Sequence, residues 1–364
     1  MDKRAYPANY MEISTEALQE NAKTVVQAVG MPVIGVVKFD GYGVSLEAAA
    51  KAWQSAGVTV LAVSESWEAL ALRQAGFGED ILLLAPVSDP EMVKALLENG
   101  IILTVSDLQN ARFYLDNKGE NTLRVHIKVD TGMGRFGVRW TDTQQLKEIY
   151  ALEGLQCEGI FSHFGKSFEK EYKLTKLQLD RFLQAVQAVE DAGFAPGLRH
   201  IANSCAALRF PETRLDAVRI GSALVGALIA PVPVKLKKVH TCKAQVVAVK
   251  ELQKGDTMGY ASVCKAKKDM TAAVVAIGQS HGFCMTGRPD PYPLLDLLVY
   301  LYHLLQGYKN QPCAIYNGKK LPLVGRVGSQ YTLFDATGAD VKPGDYVTVP
   351  VPLLQYNGKR EFLS

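Results

Sequence analysis

The sequence predicts a (β/α)8 barrel followed by a smaller, all-β domain, and three observations predict it. Eight short runs rich in Val, Ile and Leu recur in the first two thirds of the chain, at residues 32–38, 58–64, 81–86, 101–106, 123–130, 155–163, 198–204 and 217–225. Most lack strict polar alternation, as strands covered on both faces should. Amphipathic helical patterns lie between them, at 45–56, 65–75, 89–99 and 173–192. A first helix, 14–29, starts at Ser14-Thr15-Glu16 and puts Leu18 and Val25 on one apolar face. Eight such units in about 225 residues fit a closed barrel. A doubly wound open sheet is the alternative, and the regularity of the units favours closure.

The third observation is a change of texture after residue 231. Pro231-Val232-Pro233-Val234 reads as a linker, and strand-like runs follow at 243–251, 270–277, 321–327 and 346–351. Turn signals such as Lys254-Gly255-Asp256, Asn317-Gly318-Lys319 and Pro343-Gly344-Asp345 punctuate them. The expected domains are therefore 1–231, the barrel, and 232–364, the β-rich domain. The stretch 293–306 departs, reading as a short, very apolar helix that packs on the core or on another subunit.

Composition narrows the function. The 364 residues carry 40 Lys+Arg against 37 Asp+Glu, a net charge of +3. That balance, with no basic stripe, argues against nucleic acid as a partner. No run of 18 apolar residues offers a membrane span. The start, Met1 to Pro7, has no apolar signal segment, so the cytoplasm is the expected compartment. The cysteines form no CxxC pair and the histidines no HExxH, so no metal is expected.

Chemistry concentrates at the strand ends, where barrels of this kind build their sites. Gly35-Val36-Val37-Lys38 ends the first run, and Gly41-Tyr42-Gly43 follows. A lysine partly desolvated there becomes nucleophilic enough to form a Schiff base with an aldehyde such as pyridoxal phosphate. A snorkelling lysine that only covers a strand edge is the structural alternative. The fifth run ends in Lys128-Val129-Asp130-Thr131-Gly132-Met133-Gly134-Arg135, the sixth in Ser162-His163, the seventh in Asn203-Ser204, and the eighth carries Arg219-Ile220-Gly221-Ser222. Ser204 offers a hydroxyl to a phosphate, Gly221 and Ser222 offer backbone N–H groups, and Tyr42 can reach the same phosphate. Arg219 only donates, so a pyridine nitrogen facing it stays unprotonated, which restrains side reactions.

The segments Val36-Val37-Lys38…Tyr42-Gly43, Lys128 to Gly137, Ser162-His163-Phe164, His200 to Ser204 and Arg219-Ile220-Gly221 resemble the alanine racemase family. That resemblance covers nearly the whole chain, and Met258-Gly259-Tyr260-Ala261 resembles the family's segment bearing a second catalytic base. It implies an isomerase that uses pyridoxal 5'-phosphate. Lys38 would hold the cofactor and act as one base. Tyr260, supplied across a homodimer interface, would act from the opposite face. Arg219 would face the pyridine nitrogen with His163 behind it, and Arg135, oriented by an often carbamylated Lys128, would bond the phenolic oxygen. Tyr42, Asn203, Ser204, Gly221, Ser222 and Tyr356 would complete the cofactor site, and Arg135 and Ser329 the substrate side.

Three departures touch the substrate side. The family's Gly-Tyr-Ala-Asp-Gly run reads Gly278-Gln279-Ser280-His281-Gly282 here. Its Met-Asp pair after Gly-Arg-Val reads Gly328-Ser329. An extended stretch, 283–320, lies between. Interconversion of L- and D-alanine, or of a related small amino acid such as serine, is the expected reaction. The alternatives are a racemase of a larger amino acid, and an aldolase or decarboxylase on the same cofactor. A cofactor-binding protein without catalysis is further off, since such chains resemble the barrel alone. Tyr260 favours racemisation, because the lyase steps need no second, opposed Cα base.

Overall fold

A computed structural model of the chain describes residues 8–168, 171–228, 230–259, 262, 264–285, 297–298, 301–302, 305 and 311–363. Two compact units emerge: Thr15–Val239, and Met1–Ser14 together with His240–Ser364. The sequence reading had left the N-terminus with the barrel and set the boundary at 231. The chain divides instead so that strand Asn9–Ser14 joins the β-rich unit. Met11 and Ile13 alternate with less buried Tyr10 and Glu12, the period of a strand with one covered face. The strand pairs antiparallel with His240–Leu252 and parallel with Lys359–Leu363.

In the unit Thr15–Val239, eight parallel strands form a closed ring. They are Val33–Val36, Val60–Val63, Asp80–Leu83, Leu103–Val105, Leu123–Asp130, Leu155–Phe161, Leu198–His200 and Val218–Ile220. The Leu82–Ile102 bridge links the third strand to the fourth. The His200–Ala217 bridge joins the seventh strand to the eighth, which pairs back onto the first. Helices on the outside take up the second face of each strand, so the apolar runs need no polar alternation. Ile34, Val36, Ala62, Leu82, Ile102 and Ala217 form one buried core cluster. Gly35 has no room for a side chain, because a Cβ there would lie 2.8 Å from the Trp53 ring.

Side-chain caps fix where several helices begin. Ser45 accepts from Ala48 N–H, Asp89 from Met92 N–H ahead of Pro90, and Asp107 from Asn110 N–H. Each cap stops the preceding strand-end loop and starts a helix within a few residues, keeping the loops short. Helices Leu108–Asn117 and Thr143–Tyr150 were not singled out in the sequence. Both are rich in polar residues, and their apolar stripe is narrow.

The second unit is built on an eight-stranded sheet, six of whose strands close into a ring through the long strand His240–Leu252, which pairs with both Tyr346–Val349 and Met270–Val275. Within the stretch 293–306, the described residues Leu297, Leu298, Leu301, Tyr302 and Leu305 are each more than half exposed, so this face does not pack on a core. Among the described residues, no helix is long and apolar enough to cross a membrane.

Candidate active site

The first barrel strand delivers Lys38 through a short, unusual turn. Ile34 and Val36 point into the core cluster, and Lys38 is next in that alternating row. The strand ladder ends at Val36, two residues earlier than the sequence reading, because the chain then enters a left-handed turn. Phe39, Asp40, Gly41 and Tyr42 have φ of 55°, 50°, 64° and 57°. For the three non-glycine residues this conformation costs about 1–2 kcal/mol each. Two groups hold it. Buried Glu68 accepts from Asp40 N–H through one carboxylate oxygen, and from Ser64 and Glu65 N–H through the other. Asp40 in turn accepts from Leu46 N–H at 2.8 Å. Glu68 thereby ties the ends of the first two strands together.

Lys38 opens on a cavity of about 290 Å³ lined by Tyr42, Lys128, Arg135, Phe161, His163, Asn203 and Arg219, with Glu65 the acidic residue among those lining it. Basic groups thus crowd one space with little countercharge. Burial is the first cause that lowers the Lys38 pKa, repulsion from Arg135 the second, and Glu68 opposes both. Lys128 lies in the fifth-strand row with His126 and Asp130. Burial, then Arg219 and Arg135, holds its amine well below the ordinary lysine range. Burial and Arg135 push Arg219 down to about 9, still a cation at neutral pH. The Phe161 ring lies beneath two of these groups, 4.2 Å from Lys128 Nζ and 5.1 Å from the Arg219 guanidinium.

Among the described residues, no carboxylate bonds Arg219. It donates to the carbonyls of Ser162, His200 and Ile201, at 2.6, 3.0 and 3.3 Å. It also meets His163 Nδ1 at 3.2 Å and His200 Nδ1 at 2.8 Å. Since a guanidinium only donates, both imidazole nitrogens must accept. Burial keeps both rings neutral, with their pKa values well below the ordinary histidine range.

The loop bearing Arg135 is built by Asp130, whose Oδ1 accepts from Gly132, Met133 and Gly134 N–H at 2.9, 2.9 and 3.1 Å. Two expected phosphate ligands instead meet each other: Gly221 N–H donates to Ser204 Oγ at 3.1 Å. The Tyr42 hydroxyl lies over Gly221, where a Cβ would come within 2.1 Å of it. Asn203, which borders the cavity, uses its Oδ1 to cap helix Ser204–Arg209 and to accept from Ser167 Oγ. Ser222 lies beside Gly221 in the loop that follows the eighth strand.

Three further expected site residues lie elsewhere. Tyr356 and Ser329 belong to the β-rich unit. The Tyr356 hydroxyl donates to Asn9 Oδ1 at 2.9 Å. The Ser329 carbonyl accepts from both the backbone N–H and the hydroxyl of Ser280. Tyr260 lies outside the described residues. Sequence reasoning had given no role to His126, His200, Phe161 or Glu68. The two-residue spacing of His126 and Lys128 was the signal that both face inward. Among the described residues, no group of three or more His, Cys, Asp or Glu is placed to hold a metal ion.

Comparison with known proteins fits this geometry. The chain matches the family model for the N-terminal domain of alanine racemase over residues 13–228 and that for its C-terminal domain over 239–355. It is 33% identical over 353 residues to an alanine racemase of Desulforamulus reducens, spanning 93% of this chain and 89% of that protein. Among solved structures, it is similar to the alanine racemase of Bacillus anthracis with bound L-Ala-P, with a TM-score of 0.84 and 28% identity over 99% of this chain and 96% of that one. The alanine racemase of E. faecalis matches with the same TM-score of 0.84 at 26% identity, over 98% of each chain.

Proposed function

The chain belongs to the alanine racemase family, and we propose that it interconverts L- and D-alanine with pyridoxal phosphate as cofactor. One observation carries the reading: a lysine of lowered pKa shares a cavity of about 290 Å³ with Lys128, Arg135 and Arg219, a space short of negative charge. An anionic, aldehyde-bearing group fits that deficit. Lys38 would anchor it, and Arg219 would face its ring nitrogen with donors only. Arg135 would meet the phenolic oxygen. Tyr42, Ser204, Gly221 and Ser222 would surround the phosphate, with Asn203 ordering the helix that begins at Ser204. Tyr356 is proposed for the phosphate and Ser329 for the substrate side on the resemblance alone.

When bound, pyridoxal phosphate supplies an electron sink that acidifies the Cα–H of the amino acid. Lys38 Nζ, its pKa lowered by burial, takes or returns that proton on one face. Tyr260 Oη does so on the other, which inverts the centre. If Tyr260 serves Lys38 of a second copy, the working unit is a homodimer with two composite sites, and the cytoplasm is the compartment proposed for it.

The test is an assay of the cofactor-loaded protein with L- and D-alanine in deuterated water, with serine as a second substrate because the substrate-side segments depart from the family pattern. The opposite enantiomer with deuterium at Cα is the expected product. Loss of substrate to glycine, an aldehyde or an amine, without that enantiomer, would contradict racemisation and indicate a lyase. Tyr260→Phe should keep the bound cofactor's absorbance yet lose turnover in at least one direction. Full two-way turnover by that variant would remove Tyr260 from the chemistry.

A further inference from the structure

His126 is not among the residues lining the cavity, yet it lies at the far end of a chain of hydrogen bonds that starts at Arg219. Arg219 presents an N–H to His200 Nδ1 at 2.8 Å, so that nitrogen carries a lone pair. His200 is neutral and must therefore bear its proton on Nε2. Its Nε2 is 2.8 Å from His126 Nδ1. The Nε2–H must donate there, so His126 accepts at Nδ1 and carries its own proton on Nε2. The geometry allows no other assignment. Were His126 to donate to His200 Nε2, the His200 proton would sit on Nδ1, opposing an Arg219 N–H.

The surroundings enforce this order. His200 is fully buried and stacks on Phe161, with ring centroids 5.0 Å apart and planes within 2°. His126 is buried too. Its burial, then the charges of Arg219 and Arg124 against that of Asp80, pushes its pKa down to about 4. Gly159 admits the His126 ring, because a Cβ there would come within 2.8 Å of it. The seventh strand brings His200, the fifth His126 and the sixth Phe161 and Gly159, so three strands contribute to one small assembly.

We propose that His126 is a positioning residue: by accepting from His200 Nε2–H it fixes the His200 tautomer and ring, and through them the guanidinium plane of Arg219. The step from Arg219 to turnover rests on the reading that Arg219 faces the cofactor ring. Without the acceptor, a buried N–H is left unpaired, and His200 turns to relieve it at the expense of its bond to Arg219.

Three proteins test this: the wild type, His126→Leu, which removes the acceptor, and His126→Asn, whose Oδ1 replaces Nδ1. The first readout is nitrogen NMR of histidine-labelled protein without cofactor. Wild-type His200 should be a single Nε2–H tautomer, kept in the Asn variant and lost in the Leu variant. The second readout is turnover of the cofactor-loaded proteins. The Leu variant should lose about tenfold in kcat with KM for alanine unchanged, and the Asn variant should recover most of it. A His200 proton on Nδ1 in the wild type would overturn the proposal, as would equal losses in the two variants. A correct tautomer pattern in a wild type that does not racemise alanine would instead count against the proposed function.

Discussion

At Gly221 an added Cβ would lie 2.1 Å from the Tyr42 hydroxyl, closer than any real contact. Gly221→Ala should therefore displace the Tyr42 ring and disturb the Ser204–Gly221 pair, leaving the strand behind it intact. We expect cofactor affinity to fall about tenfold or more, equivalent to about 1.4 kcal/mol, with little change in Tm. Titration of the cofactor-free variant checks this, and an unchanged Kd would contradict the cradle. At this scale much was legible. Lys38 and Arg219 stood at strand ends, and their chemistry followed from residue type. The roles of Asn203 and Ser204 were less legible, because a side chain that caps a helix and one that meets a ligand have the same residue preferences. His126 and His200 could be placed facing inward by alternation, but their mutual bond depends on the stagger of the fifth and seventh strands on either side of the sixth.

The Asp130 loop shows what a single carboxylate does for an element. Burial favours its protonated form, but the N–H groups of Gly132, Gly134 and Met133 outweigh burial and leave the pKa below the ordinary value. A depressed carboxylate stabilises the fold fully above its unfolded pKa, near 3.9, and loses that contribution as pH falls through the folded value. Asp130→Asn should therefore cost about 1 kcal/mol at neutral pH, allowing for solvent screening, and progressively less in acid. Urea melts across that range measure it, and a difference that grows toward low pH would refute the assignment. The turn at Gly41-Tyr42-Gly43 was legible, but its left-handed start at Phe39 and Asp40 was not, since a bulky aromatic carries no signal for positive φ. It exists because Glu68, 28 residues away from Asp40, holds it. The two divergent segments prove to be one structure: Gln279 N–H donates to the Gly328 carbonyl and Ser280 N–H to the Ser329 carbonyl, so a change in either is felt by the other.

Across the whole molecule, the regular alternation of runs sufficed to read the barrel, because each strand sits beside the next one in sequence, apart from the closure of the eighth onto the first. The β-rich unit was read less fully. Its strand Asn9–Ser14 abuts helix Thr15–Val29 without a break, and its partners Lys359–Leu363 and His240–Leu252 are far along the chain. The surplus of cations in the barrel cavity also has a consequence for the molecule as a whole. Their mutual repulsion destabilises the cofactor-free protein, and a small anion should relieve it. Inorganic phosphate should raise its Tm by about 2 °C at tenfold excess over Kd, relative to chloride of equal ionic strength. No difference between the two salts would show that the cations are not acting as an anion site.

The central claim to test is that Lys38 holds the cofactor. Borohydride reduction of the loaded protein, followed by peptide mapping, tests it most directly. We expect a single pyridoxyl group on Lys38 and none in Lys38→Ala. Stable labelling of a different lysine, or equal labelling of the variant, would contradict it.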